Sequence, residues 1–236
     1  MNYLWYDGRG YLNERGEQIM EILEIMKQRH SVRQYEERAI EEEVREQLND
    51  KIFQLNKESG LNIQIFYDEP KCFDSMMAHY GKFRGVRNYI SLVGKKNKNL
   101  EEQTGYYGEQ IVLFAQELGL NTCWVAMTHG RSRSVINKGE KETCLISIGY
   151  GVNQGVEHKI KKLDEVKVSD SDRADWFDAG VKAALLAPTA MNQQKFVFEL
   201  KNGEVSVKVA GKGFYTKLDL GIVKYHFEAV TGRKIK

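Results

Sequence analysis

Helical and strand patterns mix along one uninterrupted chain, and this predicts a single domain of the α+β class. Three stretches carry that reading. Val44, Leu48, Ile52 and Leu55 recur at helical spacing. Cys144-Leu145-Ile146-Ser147-Ile148 is nearly all apolar, as suits a strand buried on both faces. Phe196, Phe198 and Leu200 alternate, as do Val205, Val207 and Val209, and Asn202-Gly203 lies between them; that dipeptide closes a hairpin through a tight primed turn.

The remaining elements follow in order. Ile19, Ile22, Leu23 and Met26 make a stripe, so a helix is expected over Glu17 to Gln28. The second helix, carrying Val44 to Leu55, should stop at Gly60. Ile63, Ile65 and Tyr67 alternate in a strand over Asn62 to Tyr67 that Pro70 closes off. Residues 71 to 87 show no clear period. Tyr89 to Val93 is a second strand, ended by Gly94. Leu100 to Leu118 forms a long helix, with Ile111, Ala115 and Leu118 on one face and Gly119 as its stop. Gly105 and Gly108 inside it each cost up to about 1 kcal/mol against Ala, which points to a close packing contact. Asn121 to Met127 is extended or turn-like, and Gly149-Tyr150-Gly151 breaks the apolar strand before it. A cluster of helix-capping residues over Ser169 to Asp172 precedes a helix from Ala174 to Ala187, which Pro188 terminates. A last helix covers Thr216 to Val230, with Leu218, Ile222, Tyr225 and Ala229 on one face.

Residues 1 to 18 have no clear period and three glycines. They are expected to form an arm outside the core, with the folded domain running from 19 to 236. Two origins fit the arm: an ordered extension, or residues upstream of a true start at Met20. No repeat, low-complexity tract or linker divides the rest.

Composition excludes several classes. The chain has 236 residues, 42% apolar, with a formal charge of +2; a nucleic-acid binder would carry a much larger basic excess. No apolar run approaches the roughly 20 residues of a membrane span, and a secretory signal is not expected. Cys72, Cys123 and Cys144 form no metal or redox spacing. So odd and sparse a count fits a reducing, cytoplasmic setting. His79, His129, His158 and His226 lack ligand spacing, and no metal is expected.

Arg29-His30-Ser31-Val32-Arg33 sits between the first two helices. In an extended stretch alternate side chains share a face, so Arg29, Ser31 and Arg33 would project together. That surface suits a phosphate or another planar, electron-rich group. Basic residues closing a helix also favour its dipole, and the stretch alone does not decide between the two.

Further stretches do. Arg29-His30-Ser31-Val32-Arg33-Gln34-Tyr35, Gly119-Leu120-Asn121-Thr122-Cys123-Trp124-Val125-Ala126-Met127 and Ala187-Pro188-Thr189-Ala190-Met191-Asn192-Gln193-Gln194 each resemble a motif of the FMN-dependent nitroreductase family. Gly149-Tyr150-Gly151 followed by Lys159-Ile160-Lys161 resembles a fourth. The Ala-Pro-Thr-Ala-x-Asn segment usually comes early in that family. Here it comes late, as in a smaller group with a rearranged order.

The resemblance implies a three-layer sandwich, with a mixed, mostly antiparallel sheet flanked by helices. It implies FMN as cofactor, NAD(P)H as donor and a small electron-poor acceptor such as a nitroaromatic or quinone. Arg29 and Ser31 would hold the phosphate, with His30 beside them and Lys159 and Lys161 closing from another loop. Arg33 would lie near the pyrimidine edge of the ring. Asn192 would meet the same edge, since an amide both donates and accepts; Pro188, Thr189, Ala190 and Gln194 belong to its motif. Ala126 and Met127 would offer backbone N–H groups near N5 and O4, where the family usually has two glycines. The flavin carries the chemistry, so no catalytic side chain is expected. The site would be completed in a homodimer or by a pseudo-symmetric monomer. Bland roles stand beside these: surface charge for the lysines, core packing for Trp124 and a buried apolar role for Cys123. Three other readings also remain open at this point: a flavin-binding protein without turnover, a relative acting on another acceptor, and a generic scaffold domain with no cofactor.

Overall fold

The computed structural model describes residues 4–5, 11–12, 18–19, 22–170 and 174–235. Strands β1 (Leu4–Trp5), β2 (Tyr11–Leu12) and β3 (Gln18–Ile19) form a short antiparallel ladder in that order. The rest of the expected arm, the start at Met20 and most of the capping cluster before Ala174 lie outside the described residues. Because Ile19 is taken into the ladder with Tyr11, the first helix, α1 (Ile22–Gln28), is shorter than its stripe.

Helix α2 (Glu42–Ser59) buries Leu48, Ile52 and Leu55. Gly60 ends it in the left-handed region at φ 70°, donating its N–H to Asn56 O at 2.9 Å, which is the expected glycine stop. Next come β4 (Asn62–Phe66), the short α3 (Met76–Tyr80), β5 (Asn88–Lys95), α4 (Leu100–Glu117), β6 (Asn121–Val125) and β7 (Glu140–Gly149). These strands form one antiparallel sheet in the order β4-β5-β7-β6, with the apolar β7 inside it. Strand β5 runs through Gly94 instead of ending there. A Cβ at Gly94 would lie 2.6 Å from the side chains of Leu61 and Leu100, so this glycine serves packing and not termination.

Then follow β8 (Lys167–Ser169), α5 (Asp175–Leu185), β9 (Phe196–Lys201), β10 (Glu204–Val209) and α6 (Thr216–Thr231). Strands β9 and β10 form the expected hairpin. Its turn residues Asn202 and Gly203 sit at φ 52° and 77°, both in the region a primed turn demands. Strand β8 runs parallel to β9; three residues carry too little alternation to announce themselves. The architecture is thus α+β, with a four-stranded antiparallel sheet and a three-stranded mixed one. A single apolar cluster joins them, running from Leu48 and Ile90 through Ile111 and Ile146 to Phe177, Phe198 and Phe227.

Helices α4 and α6 cross at backbone contact. A Cβ on Gly105 would lie 2.1 Å from Leu218 O, and one on Gly221 1.9 Å from Glu102 O. Tyr106 and Tyr225 pack edge to face at 5.5 Å beside the crossing, and Lys224 pairs with Glu102. This contact brings polar residues from distant parts of the chain to one buried place. Among the described residues, no helix is long and apolar enough to cross a membrane.

Candidate cofactor site

Arg29 continues the hydrogen bonding of α1, its N–H reaching Ile25 O at 2.9 Å. The chain then extends along the edge of β6. Ser31 bridges Thr122 in parallel, and Val32 N donates to Thr122 O at 3.0 Å. Val32 and Tyr35 turn into the core. Arg29, Ser31 and Arg33 all act on the Cys123 thiol. Burial pushes that thiol up, while Arg33, the Ser31 hydroxyl and Arg29 oppose the shift. The alternate side chains therefore gather around one point. Cys123 itself is buried and free, which fits the apolar reading of it.

Arg29 is only 3% exposed, and its buried Nε has no hydrogen-bond partner. Burial lowers its pKa, against favourable effects of Glu109 and Cys123. A buried cation with an unpaired donor costs stability, and an anion placed there would relieve that cost. Beside it the chain turns sharply: Gly155, at φ 73°, would place a Cβ 2.7 Å from His30 Cβ. Burial and then Arg29 lower the His30 pKa. The same loop carries His158, whose Nε2 donates to Leu185 O at 3.0 Å. Burial lowers the pKa of His158, and Arg29 and His226 add to this. Thus His158 connects the Arg29 stretch to the end of α5.

Beyond α5, the segment from Pro188 to Gln194 clasps the lysine loop. Asn192 Nδ2 and Gln194 Nε2 donate to Lys159 O at 2.8 and 2.7 Å. Gln194 Oε1 accepts Lys161 N at 2.9 Å, and Lys161 Nζ donates to Gln194 O at 2.8 Å. The amide of Asn192 also accepts Gln194 Nε2 at 2.8 Å, which leaves one donor and one lone pair on it. Met191, Asn192 and Gln194 all sit in the left-handed region, at φ 52°, 52° and 44°. Such conformations cost of order 1–3 kcal/mol each and cluster at binding sites. Among the bonds that hold this segment, Gln194 N donates to Thr189 Oγ1 at 3.1 Å, and Ala190 N donates to Asp219 Oδ1 at 3.0 Å.

Ala126 and Met127 follow the last paired residue of β6. Thr128 presses on Gly81, where a Cβ would lie 2.6 Å from Thr128 Cβ and 3.0 Å from Phe83. The Arg33 guanidinium lies 5.9 Å from the Phe83 ring centre. The end of β6 is therefore next to Arg33.

The chain thus brings Arg29, Ser31 and Arg33 together around Cys123, and Lys159 and Lys161 together with Asn192 and Gln194. Among the described residues, no hydrogen bond joins either lysine to the Arg29 stretch.

A family model described as "Putative TM nitroreductase" matches residues 21–231. The chain belongs to the nitroreductase family. Among solved structures, a "putative nitroreductase" of Thermotoga maritima is 24% identical over 91% of this chain and 85% of that one, with a TM-score of 0.64, and shares the fold. A "Putative NADH Oxidase" of Clostridium acetobutylicum is 20% identical over 55% of this chain and 88% of its own, with a TM-score of 0.44. A "putative nitroreductase in complex with fmn" from Desulfovibrio desulfuricans is 17% identical over 62% and 94%, with a TM-score of 0.48. No curated protein matches the chain.

Several residues around this candidate site escape sequence reasoning: Glu109, His158, Asp219 and His226. Glu109 and His226 had a signal, since each is ionisable and falls on the apolar face of its helix. Asp219 had the same signal on the buried face of α6; His158, in a loop, had none.

Proposed function

We propose that this nitroreductase is an FMN-dependent oxidoreductase that moves reducing equivalents from NADH or NADPH to an electron-poor acceptor, a nitroaromatic or quinone in the generic case. One observation carries the reading: Arg29 is buried with an unpaired Nε, which fits a group bearing a doubly charged phosphate. The chemistry that FMN supplies when bound is hydride transfer at ring N5. Arg29 and Ser31 hold the phosphate, with His30 beside them. Lys159 and Lys161 approach it from the loop that Asn192 and Gln194 clasp. Arg33 stands at the pyrimidine edge, and the free donor and lone pair of Asn192 meet that edge too. Pro188, Thr189 and Ala190 set the course of the Asn192 loop. Ala126 and Met127 border the ring near N5 and O4.

The late position of the Ala-Pro-Thr-Ala-x-Asn segment supports assigning the chain to the rearranged group of the family. The site is completed either in a homodimer or by a pseudo-symmetric monomer. Residues 1 to 18 are not needed for the core, a reading supported by a family match that begins at residue 21. Three free, buried cysteines suit the cytoplasm.

The test is spectroscopic and kinetic. Purified protein should be yellow with flavin absorbance, and should oxidise NADH or NADPH when a quinone is supplied. Protein that neither carries nor takes up FMN would end this reading.

A further inference from the structure

Glu109 on α4 and His226 on α6 meet at the helix crossing, and the function proposed above leaves them unused. Both side chains are 0% exposed, with His226 Nε2 2.9 Å from Glu109 Oε1. The other ring nitrogen, Nδ1, is 3.0 Å from Ala183 O. Trp124 Nε1 donates to Glu109 Oε2 at 3.0 Å. A carbonyl can only accept, so Nδ1 carries a proton. The 2.9 Å contact to Glu109 then needs a second proton between Nε2 and Oε1. On either atom, the pair as a whole is neutral: imidazolium with carboxylate, or imidazole with carboxylic acid. Arg29, on which Glu109 acts, therefore keeps a charge that the Glu109–His226 pair, neutral as a whole, does not cancel, and its Nε stays unpaired.

We propose that Glu109 and His226 are positioning residues acting through Arg29: by sharing one proton they stay neutral together and reserve the Arg29 charge for a dianionic phosphate. This rests on the reading of Arg29 as the FMN phosphate ligand. The other ionisable groups facing the cluster are His158, which acts on both Arg29 and His226, Glu157, His30 and Cys123. None of them bonds to the pair.

His226→Gln removes the shared proton. Glu109 would then remain a carboxylate at neutral pH and oppose the phosphate, unless binding draws a proton onto it. The readout is the affinity of FMN relative to riboflavin, which lacks the phosphate, from pH 6 to 8.5. Calorimetry in two buffers of different ionisation enthalpy counts protons taken up. The wild type should prefer FMN, with no uptake beyond the phosphate's own ionisation near pH 6. His226→Gln should lose about tenfold or more of that preference, equivalent to one pKa unit of opposing charge. It should take up a proton on binding FMN. Riboflavin affinity should not move. The double variant Glu109→Gln/His226→Gln, again neutral, should restore the preference and abolish the uptake. An unchanged preference in His226→Gln, or a double variant as impaired as the single one, overturns the proposal while leaving Arg29 in place. Should His226→Gln not fold, Glu109→Gln alone should keep the FMN preference without proton uptake, and a loss of that preference overturns the proposal equally. A wild type that binds FMN and riboflavin alike removes the phosphate role of Arg29, and this inference with it.

Discussion

The carboxylate of Asp219, in the first turn of α6, accepts the backbone N–H of Ala190 at 3.0 Å across 29 residues of chain. Its other oxygen accepts Gln193 Nε2 at 2.7 Å. A buried acid thus tethers the strained segment that carries Asn192. Burial pushes its pKa up to about 6, against the Ala190 and Gln193 bonds. The folded value lies above the unfolded one, so the folded state binds this proton more tightly between about pH 4 and 6. The contribution of Asp219 to stability is greatest below that window and falls as pH rises through it, by about 3 kcal/mol. Asp219→Asn does not titrate. Its stability should fall less than that of the wild type between pH 4.5 and 7, as urea unfolding midpoints at the two pH values will show. Identical pH slopes would mean that Asp219 ionises freely in the folded protein.

Arg29→Ala should weaken FMN binding by one to two decades, since a charge-assisted hydrogen bond contributes roughly 1.5–3 kcal/mol. Riboflavin should respond little. Fluorescence titration of both flavins measures this, and equal losses would place the phosphate elsewhere.

Arg33→Gln tests the ring end of the site. A fixed cation beside the pyrimidine edge favours reduced over oxidised flavin. Gln keeps hydrogen-bonding capacity and removes the charge, so the variant should bind oxidised FMN but have a lower reduction potential. Losing 1.4 kcal/mol of preference lowers a two-electron potential by about 30 mV. Potentiometric titration of both proteins reads the shift. An unchanged potential with FMN still bound would move Arg33 away from the ring.

Gly221→Ala tests the helix crossing. The added Cβ would lie 1.9 Å from Glu102 O, against backbone that cannot turn aside as a side chain can. Overpacking typically costs about 1–3 kcal/mol, and contact with backbone puts this variant at the upper end. Thermal unfolding should show a fall in Tm of several degrees. A Tm within a degree of the wild type would show that the helices part without cost.

Sequence determined the local elements wherever local chemistry decides them. The stripe in α2, its glycine stop, the apolar β7 and the Asn202-Gly203 turn answer to period and backbone conformation alone, and each appears in the fold. The alternation of Arg29, Ser31 and Arg33 was legible for the same reason: extended backbone fixes which side chains share a face. The motifs named the Asn192 segment as well, but not its strained backbone, nor the amide bonds by which it holds the lysine loop. Gly94 was misread as a strand end because a glycine required by packing looks the same in sequence as one that breaks a strand. Only the tertiary structure decided which of the polar residues on apolar helix faces meet. Glu109 and His226 stand 117 positions apart, and Asp219 finds Ala190 only because α6 lies against the end of α5. These pairings depend on the α4–α6 crossing, where two glycines let backbones touch. Periodicity reports the face a residue occupies and not the partner it meets there, which only the packing of distant elements can settle.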